Sequence, residues 1–432
     1  MNILISHVYS SYNNGDAAIL SAQISELKRV FKHPHLDILT VDTVATGYTF
    51  DGVSVCNSLM YGAVSPRNSR LRKLLFSGGM MVYTTLWAVT FRTIHRALPL
   101  PRSWRRPLQL LVEADMQVCV GGGYLRAKND HVSTIMLLLF FHQIWLAKLL
   151  NKPVYLYAQS FGPYPKVLQQ KIACQGLKKA DLILVREIKS KVLLSQMGLA
   201  GEGVIQVPDS AFLFQPKLSF DAKQILGPQG PVDKLVGITV RSWLRGPAQA
   251  RYEKAVAGFI DRICQQPHMR VVVIAQVTSE RQNDDDRVVG ERIQRLLGQR
   301  DTVLFLDQRF SHYEIKSIFA RLDYLVGTRF HSVIFALTAH VPALAIEYEH
   351  KTSGIMQDLG LEKWVIGIED VTTDKLTVLF SRLEHQRAAY LRQLHKVLPI
   401  YMAQASKSAQ LIRRSYEQSK RVAGNASTAP GT

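Results

Sequence analysis

Residues Leu325–Gly354 read LVGTRFHSVIFALTAHVPALAIEYEHKTSG. The apolar run Tyr324–Val326 stops at Gly327-Thr328, the punctuation that ends a strand. Arg329 and His331 follow, then the apolar helical run Val333–Ala339. Pro342 ends that helix. Ala343–Ile346 predicts the next buried strand, with Glu347, Glu349, His350 and Lys351 at its end. Strand, polar turn, helix, strand, polar turn is a βαβ unit. Both turns lie at carboxyl ends of strands, where open α/β sheets place their ligands. Arg329 and His331 also open a helix, a position that attracts anions. A guanidinium, an imidazole and an ammonium gathered there suit a phosphate or a carboxylate. The alternative on chemistry alone is structural pairing of Arg329 and Lys351 with Glu347 and Glu349.

The same rhythm extends outward. Leu235–Val240 ends in Arg241, and Arg270–Gln276 and Val303–Leu306 predict further strands, with helices over Gln249–Cys264 and Ser311–Arg321. Toward the N-terminus, Asn2–Val8 leads through the turn Asn13-Asn14-Gly15-Asp16 into a helix over Ala17–Phe31. Asn14 and Gly15 either shape this turn or meet a ligand, and Asp16 either caps the helix or joins them. After the strand Leu36–Val41, Asp115–Val120 ends in Gly121-Gly122-Gly123, a loop whose Gly122 and Gly123 would let a ligand approach the backbone. A strongly apolar helix over Ile135–Leu150 precedes the strands Val154–Ala158, Asp181–Val185 and Val204–Val207. Arg186 stands at one of these strand ends, as an anion ligand or in a surface pair with Glu187. Asp209 stands near another, as an acceptor for a sugar hydroxyl or as a cap. The charged run Glu280–Arg292 reads as a solvated loop and helix face.

Gln215–Lys234 is rich in Pro and Gly and predicts an interdomain linker. The expected division is therefore an N-terminal domain over 1–215, a linker over 216–234 and a C-terminal domain over 235–373. A helical region over 374–422 and a loose tail over 423–432 complete it. The expected fold is α/β, two Rossmann-like domains with a cleft between the carboxyl ends of their sheets. Arg186 would enter that cleft from one side, and Arg241, Arg329, His331 and Lys351 from the other.

The 432 residues carry a formal charge of +19, with 47% hydrophobic residues; the pI is near 9.8 and the mean hydropathy +0.01. Such a chain expects an anionic partner. No zinc-finger spacing or RNP-like string accompanies the charge, so nucleic acid is not the expected one. The four scattered cysteines suit free thiols in a reducing compartment. The opening MNILISHVYSSYNNGD is a strand and turn, not a signal peptide, so a cytoplasmic chain is expected.

Residues Gly52–Val112 break the α/β rhythm. They hold nine basic residues, from Arg67 to Arg106, and no acidic one; Leu74–Phe91 between them is uncharged. Two readings stand: an element lying in an anionic bilayer interface, or a helical hairpin packed on the core.

The string GTRFHSVIFAL, followed by LAIEYEHKTSGIMQDLG, resembles the C-terminal signature of the polysaccharide pyruvyl transferase family. NNGDAA, VCVGGGYL, QSFGP, VREIKS and PDSA resemble shorter family segments, and the resemblance spans nearly everything outside 52–112. It implies a GT-B-like arrangement and transfer of a pyruvyl group from phosphoenolpyruvate to saccharide hydroxyls, forming a ketal on a cell-surface or exported polysaccharide. It also implies that Arg186, Arg329, His331 and Lys351 are the anion site, with His331, Arg329 and Lys351 catalytic. Arg241, Asn14, Asp16, Gly122, Gly123 and Asp209 would bind substrate. No metal and no cofactor beyond the donor substrate is expected, because the positive site itself neutralises the donor. The acceptor would be a phosphorylated or lipid-linked saccharide, met at the inner face of the cell membrane. A GT-B glycosyltransferase using a nucleotide sugar, or a non-catalytic membrane-attached assembly protein, are the alternatives.

Overall fold

Short runs of aliphatic and β-branched residues, apolar on both faces, make strands suited to parallel sheets covered on each side. The computed structural model describes the chain except residues 51, 62–69, 95–97, 217–219, 228–229, 231–232, 280–283, 299 and 428–432. One sheet contains β1 (Asn2–Val8), β2 (His35–Thr40), β3 (Ser54–Asn57), β4 (Met116–Cys119), β5 (Gly122–Leu125), β6 (Val154–Phe161), β7 (Leu182–Val185) and β8 (Val204–Gln206). Its order is β3-β2-β1-β4-β6-β7-β8, with β5 also on β6. The second sheet draws on β9 (Lys234–Thr239) and β10 (Met269–Ile274). After the small antiparallel pair β11 (Thr278–Ser279) and β12 (Asp284–Asp285) come β13 (Val303–Leu306), β14 (Tyr324–Gly327), β15 (Ala343–Glu347) and β16 (Val365–Gly367). Its order is β13-β10-β9-β14-β15-β16, with every pairing parallel. Strand order reverses between β1 and β4 in one sheet and between β9 and β14 in the other. Each reversal opens a crevice at the carboxyl ends.

Two compact units result: Met1–Ser11 with Ile19–Ser210 and the chain from Gln404 on, and Tyr12–Ala18 with Ala211–Ala403. This corrects the expected division at 215/216. Tyr12–Ala18 belongs with the second unit because its backbone bonds there: Thr278 N donates to Tyr12 O at 3.1 Å and Asn14 N to Gln276 O at 3.3 Å. The expected single helical region over 374–422 is divided too. Its last helix, Lys407–Ser427, lies on the first unit, where Ile412 is fully buried and Arg413 Nη1 donates to Val30 O at 3.0 Å. Part of the expected linker falls outside the described residues.

The glycine triplet is also corrected. Gly122 and Gly123 begin β5, with Gly122 level with Gln159 of β6, so they lie in a strand and not in a loop. The position that demands glycine by packing is Gly121, where a Cβ would stand 2.6 Å from Gln23 Nε2 and 2.8 Å from Tyr157 O.

The basic insertion forms two helices, Arg70–Ile94 and Arg102–Glu113. Ser77, Met80, Thr84, Trp87 and Ala88 are buried, and Thr84 Oγ1 lies 2.8 Å from His142 Nε2 of the helix His131–Leu149. One face of the insertion thus packs on the core; the other does not. Arg67 and Arg96 lie outside the described residues.

Candidate functional site

Thr239 ends β9 and Gly327 ends β14, neighbours at the crevice of the second sheet. Thr239 Oγ1 accepts from the backbone N–H of Thr328 at 3.1 Å and of Arg329 at 3.3 Å. This ties the turn to the strand beside it and starts the helix Phe330–Thr338 with Arg329 at its N-cap position. Arg329 is consequently fixed by backbone before its side chain meets anything.

That side chain is buried, only 5% exposed. Its Nε donates to both oxygens of Asp286, at 2.9 and 3.1 Å, and Nη2 donates to Asp286 Oδ1 at 2.5 Å. Nη1 and Nη2 reach Asp284 at 3.1 and 2.6 Å. Burial works against the guanidinium charge, but the carboxylates of Asp286 and Asp284 overcome it, and the Arg329 pKa is raised. Burial raises the Asp286 carboxyl above its ordinary value, with Arg329 and the Val277 N–H pulling it back. Asp286 also accepts from the backbone N–H of Gln276 and Val277, both at 3.0 Å. The run Glu280–Arg292 is therefore not the solvated face expected of it: within its described part, two aspartates hold the central arginine. Asp286 is inaccessible, while Asp284 keeps a quarter of its side chain exposed.

From Asp284 a chain of contacts gathers the other predicted residues. Arg241 Nη2 donates to Asp284 at 3.2 Å and its guanidinium stacks between Trp243, at 4.9 Å, and Tyr348, at 4.3 Å. Lys351 Nζ lies 5.7 Å from the Tyr348 ring centre and 5.1 Å from that of Phe330. It pairs with Glu349 at 2.9 Å. His331 meets Phe330 edge-on at 4.9 Å. Arg241, Arg329, His331 and Lys351 thus come together at the ends of β9, β14 and β15. Arg241, Arg329 and Lys351 do so in ion pairs with carboxylates and not as the bare cationic cluster expected. The pairing foreseen for Lys351 with Glu349 is present; Arg329 takes Asp284 and Asp286 in place of Glu347.

The segment Tyr12–Ala18, a turn and the first residues of the helix Asn14–Val30, reaches the same site. Asn14 is buried and its Nδ2 donates to Gln276 O at 3.1 Å. Asn13, and not Asp16, caps the helix Asn14–Val30, its Oδ1 accepting from the N–H of Gly15 and Asp16 at 3.1 and 3.4 Å. Asp16 accepts from Asn13 Nδ2 at 2.9 Å. A Cβ on Gly15 would stand 1.9 Å from His331 Nδ1, so glycine there lets the imidazole lie against the backbone.

In the first unit, Arg186 and Asp209 are both buried and meet each other, Nη1 to Oδ2 at 2.6 Å, with Arg186 Nε on Ser160 Oγ at 2.5 Å. Glu187 lies 3.5 Å away, equally buried, so this is no surface pair. Among the described residues no group of three or more His, Cys, Asp or Glu is arranged to hold a metal.

With this geometry in place, the comparisons with known proteins decide the family. The family model for polysaccharide pyruvyl transferase matches residues 13–350. The chain belongs to the polysaccharide pyruvyl transferase family. The match includes Asn14, Arg186, Arg241, the aspartates of β12 and its following helix, Arg329 and His331, and stops at His350, one residue before Lys351. Membership makes this chain a transferase of polysaccharide biosynthesis. A curated relative, the amylovoran biosynthesis protein AmsJ of Erwinia amylovora, is 24% identical over 381 residues, 86% of this chain and 89% of that protein. Among solved structures, the UDP-GlcNAc 2-epimerase of Neisseria meningitidis aligns with a TM-score of 0.60 at 12% identity, covering 97% of this chain and 100% of that one. The spinosyn rhamnosyltransferase SpnG aligns at 0.52 and 11%, over 96% and 99%. At such identities the likeness carries the fold, two parallel sheets of the GT-B type.

Proposed function

We propose that this pyruvyl transferase family member moves the pyruvyl group of phosphoenolpyruvate onto two hydroxyls of a saccharide, leaving a cyclic ketal and inorganic phosphate. The supporting observation is the linked cluster of Arg241, Arg329, His331 and Lys351 at the carboxyl ends of one sheet. The donor carries a carboxylate and a phosphate; Arg241 and Lys351 supply charge-assisted donors for them, with the buried Arg329 guanidinium behind. In the reaction, an acid gives a proton to the vinyl CH2, leaving an oxocarbenium-like C2. One sugar hydroxyl adds to C2 and loses its proton to a base. The bond from C2 to the phosphate oxygen then breaks, phosphate leaves, and the second hydroxyl adds and loses its proton.

Arg329 is the fixed element in this reading, preorganised by Asp286 so that no reorganisation accompanies the developing charge. Lys351 and Arg241 are partly exposed and meet the donor's anionic groups. His331, at a helix start, is the proton donor or a phosphate ligand. The partly exposed carboxylates of Asp284 and Glu349 are the candidate bases for the hydroxyl protons. The chemistry uses no metal and takes place at the cytoplasmic side of the membrane.

Phosphate release from phosphoenolpyruvate across a panel of glycan acceptors, with and without EDTA, tests this. Release that requires an acceptor and ignores EDTA is expected. Loss with EDTA, restored by Mg2+, would overturn the metal-free route. Thermal stabilisation by UDP-sugars and none by phosphoenolpyruvate would overturn the donor.

A further inference from the structure

The helix Arg70–Ile94 is amphipathic in an unusual sense, with a core-facing side and a second apolar side facing outward. Its buried residues, Ser77, Met80, Thr84, Trp87 and Ala88, are all below 5% exposed. On the opposite side Leu75, Val82, Leu86 and Val89 recur at helical spacing and are 66%, 63%, 53% and 41% exposed. Four aliphatic side chains in line on an exposed face are a docking surface, not scattered surface residues. Arg72 and Arg92, both exposed, stand toward the two ends of this stripe. Trp104 packs edge-on against Phe76 at 6.0 Å and beside Tyr83 at 6.0 Å, holding the helix Arg102–Glu113 next to it. That second helix exposes Arg102, Arg105 and Arg106 in its first turns. Arg106 has a loose surface pairing with Glu113 at 3.7 Å. No acidic residue occurs between Gly52 and Val112.

We propose that this outward face docks on an anionic lipid bilayer, with the aliphatic stripe in the acyl boundary and the arginines among the headgroups. Charge complementarity selects the occupant. An identical copy would bring a second set of arginines against the first, and the electrostatics would oppose the contact. An anionic leaflet attracts them, at about fivefold in affinity per basic residue. Nucleic acid would satisfy the arginines but leave the aliphatic stripe in water. The helix lies in the interface and does not span, because its other side is engaged with the helix His131–Leu149 through Thr84 and His142. This inference does not depend on the donor being phosphoenolpyruvate.

Flotation of the full chain with phosphatidylcholine vesicles, with and without phosphatidylglycerol, reads it. Binding to the anionic vesicles only is expected, weakening as salt shortens the screening length. The double substitution Val82→Asp/Leu86→Asp sits on the exposed face, so its thermal unfolding and its turnover of a soluble acceptor should match the parent. Its vesicle partition should fall at least about tenfold. Arg102→Ser/Arg105→Ser/Arg106→Ser should lower partition on the order of a hundredfold and flatten its salt dependence. Absence of binding to either vesicle, partition unchanged by Val82→Asp/Leu86→Asp, or a parent dimer that this variant dissolves would each overturn the proposal.

Discussion

Arg329 is held by two aspartates, so its removal has two effects that must be separated. Arg329→Ala takes away the fixed buried charge behind the donor site, about 3 kcal/mol or a hundredfold in rate. It also strands the buried Asp286 without its partner, which costs about 3–5 kcal/mol of stability. Arg329→Lys keeps the charge but not the fork that spans Asp284 and Asp286, so it should fold better than the alanine variant and still turn over poorly. Wild-type kcat/KM in a folded Arg329→Lys protein would remove Arg329 from the site. Gly15→Ala adds only a methyl, yet that methyl meets the His331 ring. A tenfold or so loss of kcat with little loss of Tm is expected, since the imidazole must turn away. Lys316 offers a pH readout: the residue is 3% exposed and burial lowers its pKa from 10.5 to about 7. The folded state binds this proton less tightly than the unfolded chain. Stability is therefore lowest below pH 7 and rises toward 10.5, by about 1 kcal/mol per pH unit. Urea unfolding at several pH values should show that slope, and Lys316→Met should abolish it. The cations of the site were legible because each stands directly after a strand. Asp284 and Asp286 were not: an aspartate in a charged run looks solvated until its arginine arrives from more than forty residues away. The available clue was position, since they lie between a strand of the sheet, Met269–Ile274, and a helix with Val289 and Ile293 buried, whose first residue is Asp286.

At the scale of elements, the helix Arg70–Ile94 separates two properties that a sequence reading treats as rivals. Trp87 is buried and stacks on Phe91 at 5.2 Å, whereas its neighbour Leu86 is exposed. Trp87→Ala should therefore cost about 3–5 kcal/mol, while Leu86→Ala should stay within about 0.5 kcal/mol. Similar losses in chemical denaturation would mean that the helix does not have these two faces. An uncharged run shows no such division, because apolar residues on both sides leave no polar stripe to mark the outside. The long strands were legible for the opposite reason. VYLYAQSF and MRVVVI are mainly apolar on both faces, as strands inside a parallel sheet must be, and the first is bounded by Pro153 and Gly162. SVCN of β3 and VIG of β16 were missed. Each is short, partly exposed and at an edge of its sheet, so neither burial nor alternation shapes its composition.

The whole molecule is divided by contacts that no local pattern announces. Arg413 bonds to Val30, 383 residues away, and Tyr416 meets Phe31 edge-on at 6.4 Å. The helix carrying them, Lys407–Ser427, looked from sequence like the end of a C-terminal helical region, because its basic amphipathic pattern continues that of the helices before it. In the fold it closes the first unit, against β6 and β7. Ala409 and Ile412 are fully buried there and Tyr416 nearly so. Burying these side chains contributes about 5 kcal/mol, a large part of the roughly 5–15 kcal/mol that stabilises an ordinary domain. Deleting residues 407–432 should therefore destabilise the first unit selectively. In hydrogen exchange, amides of β6 and β7 should lose protection, while those of β9 and β14 keep theirs. A single shared loss across both sheets would mean the two units unfold as one. Unchanged protection in β6 and β7 would mean that the last helix adds nothing to the sheet it covers.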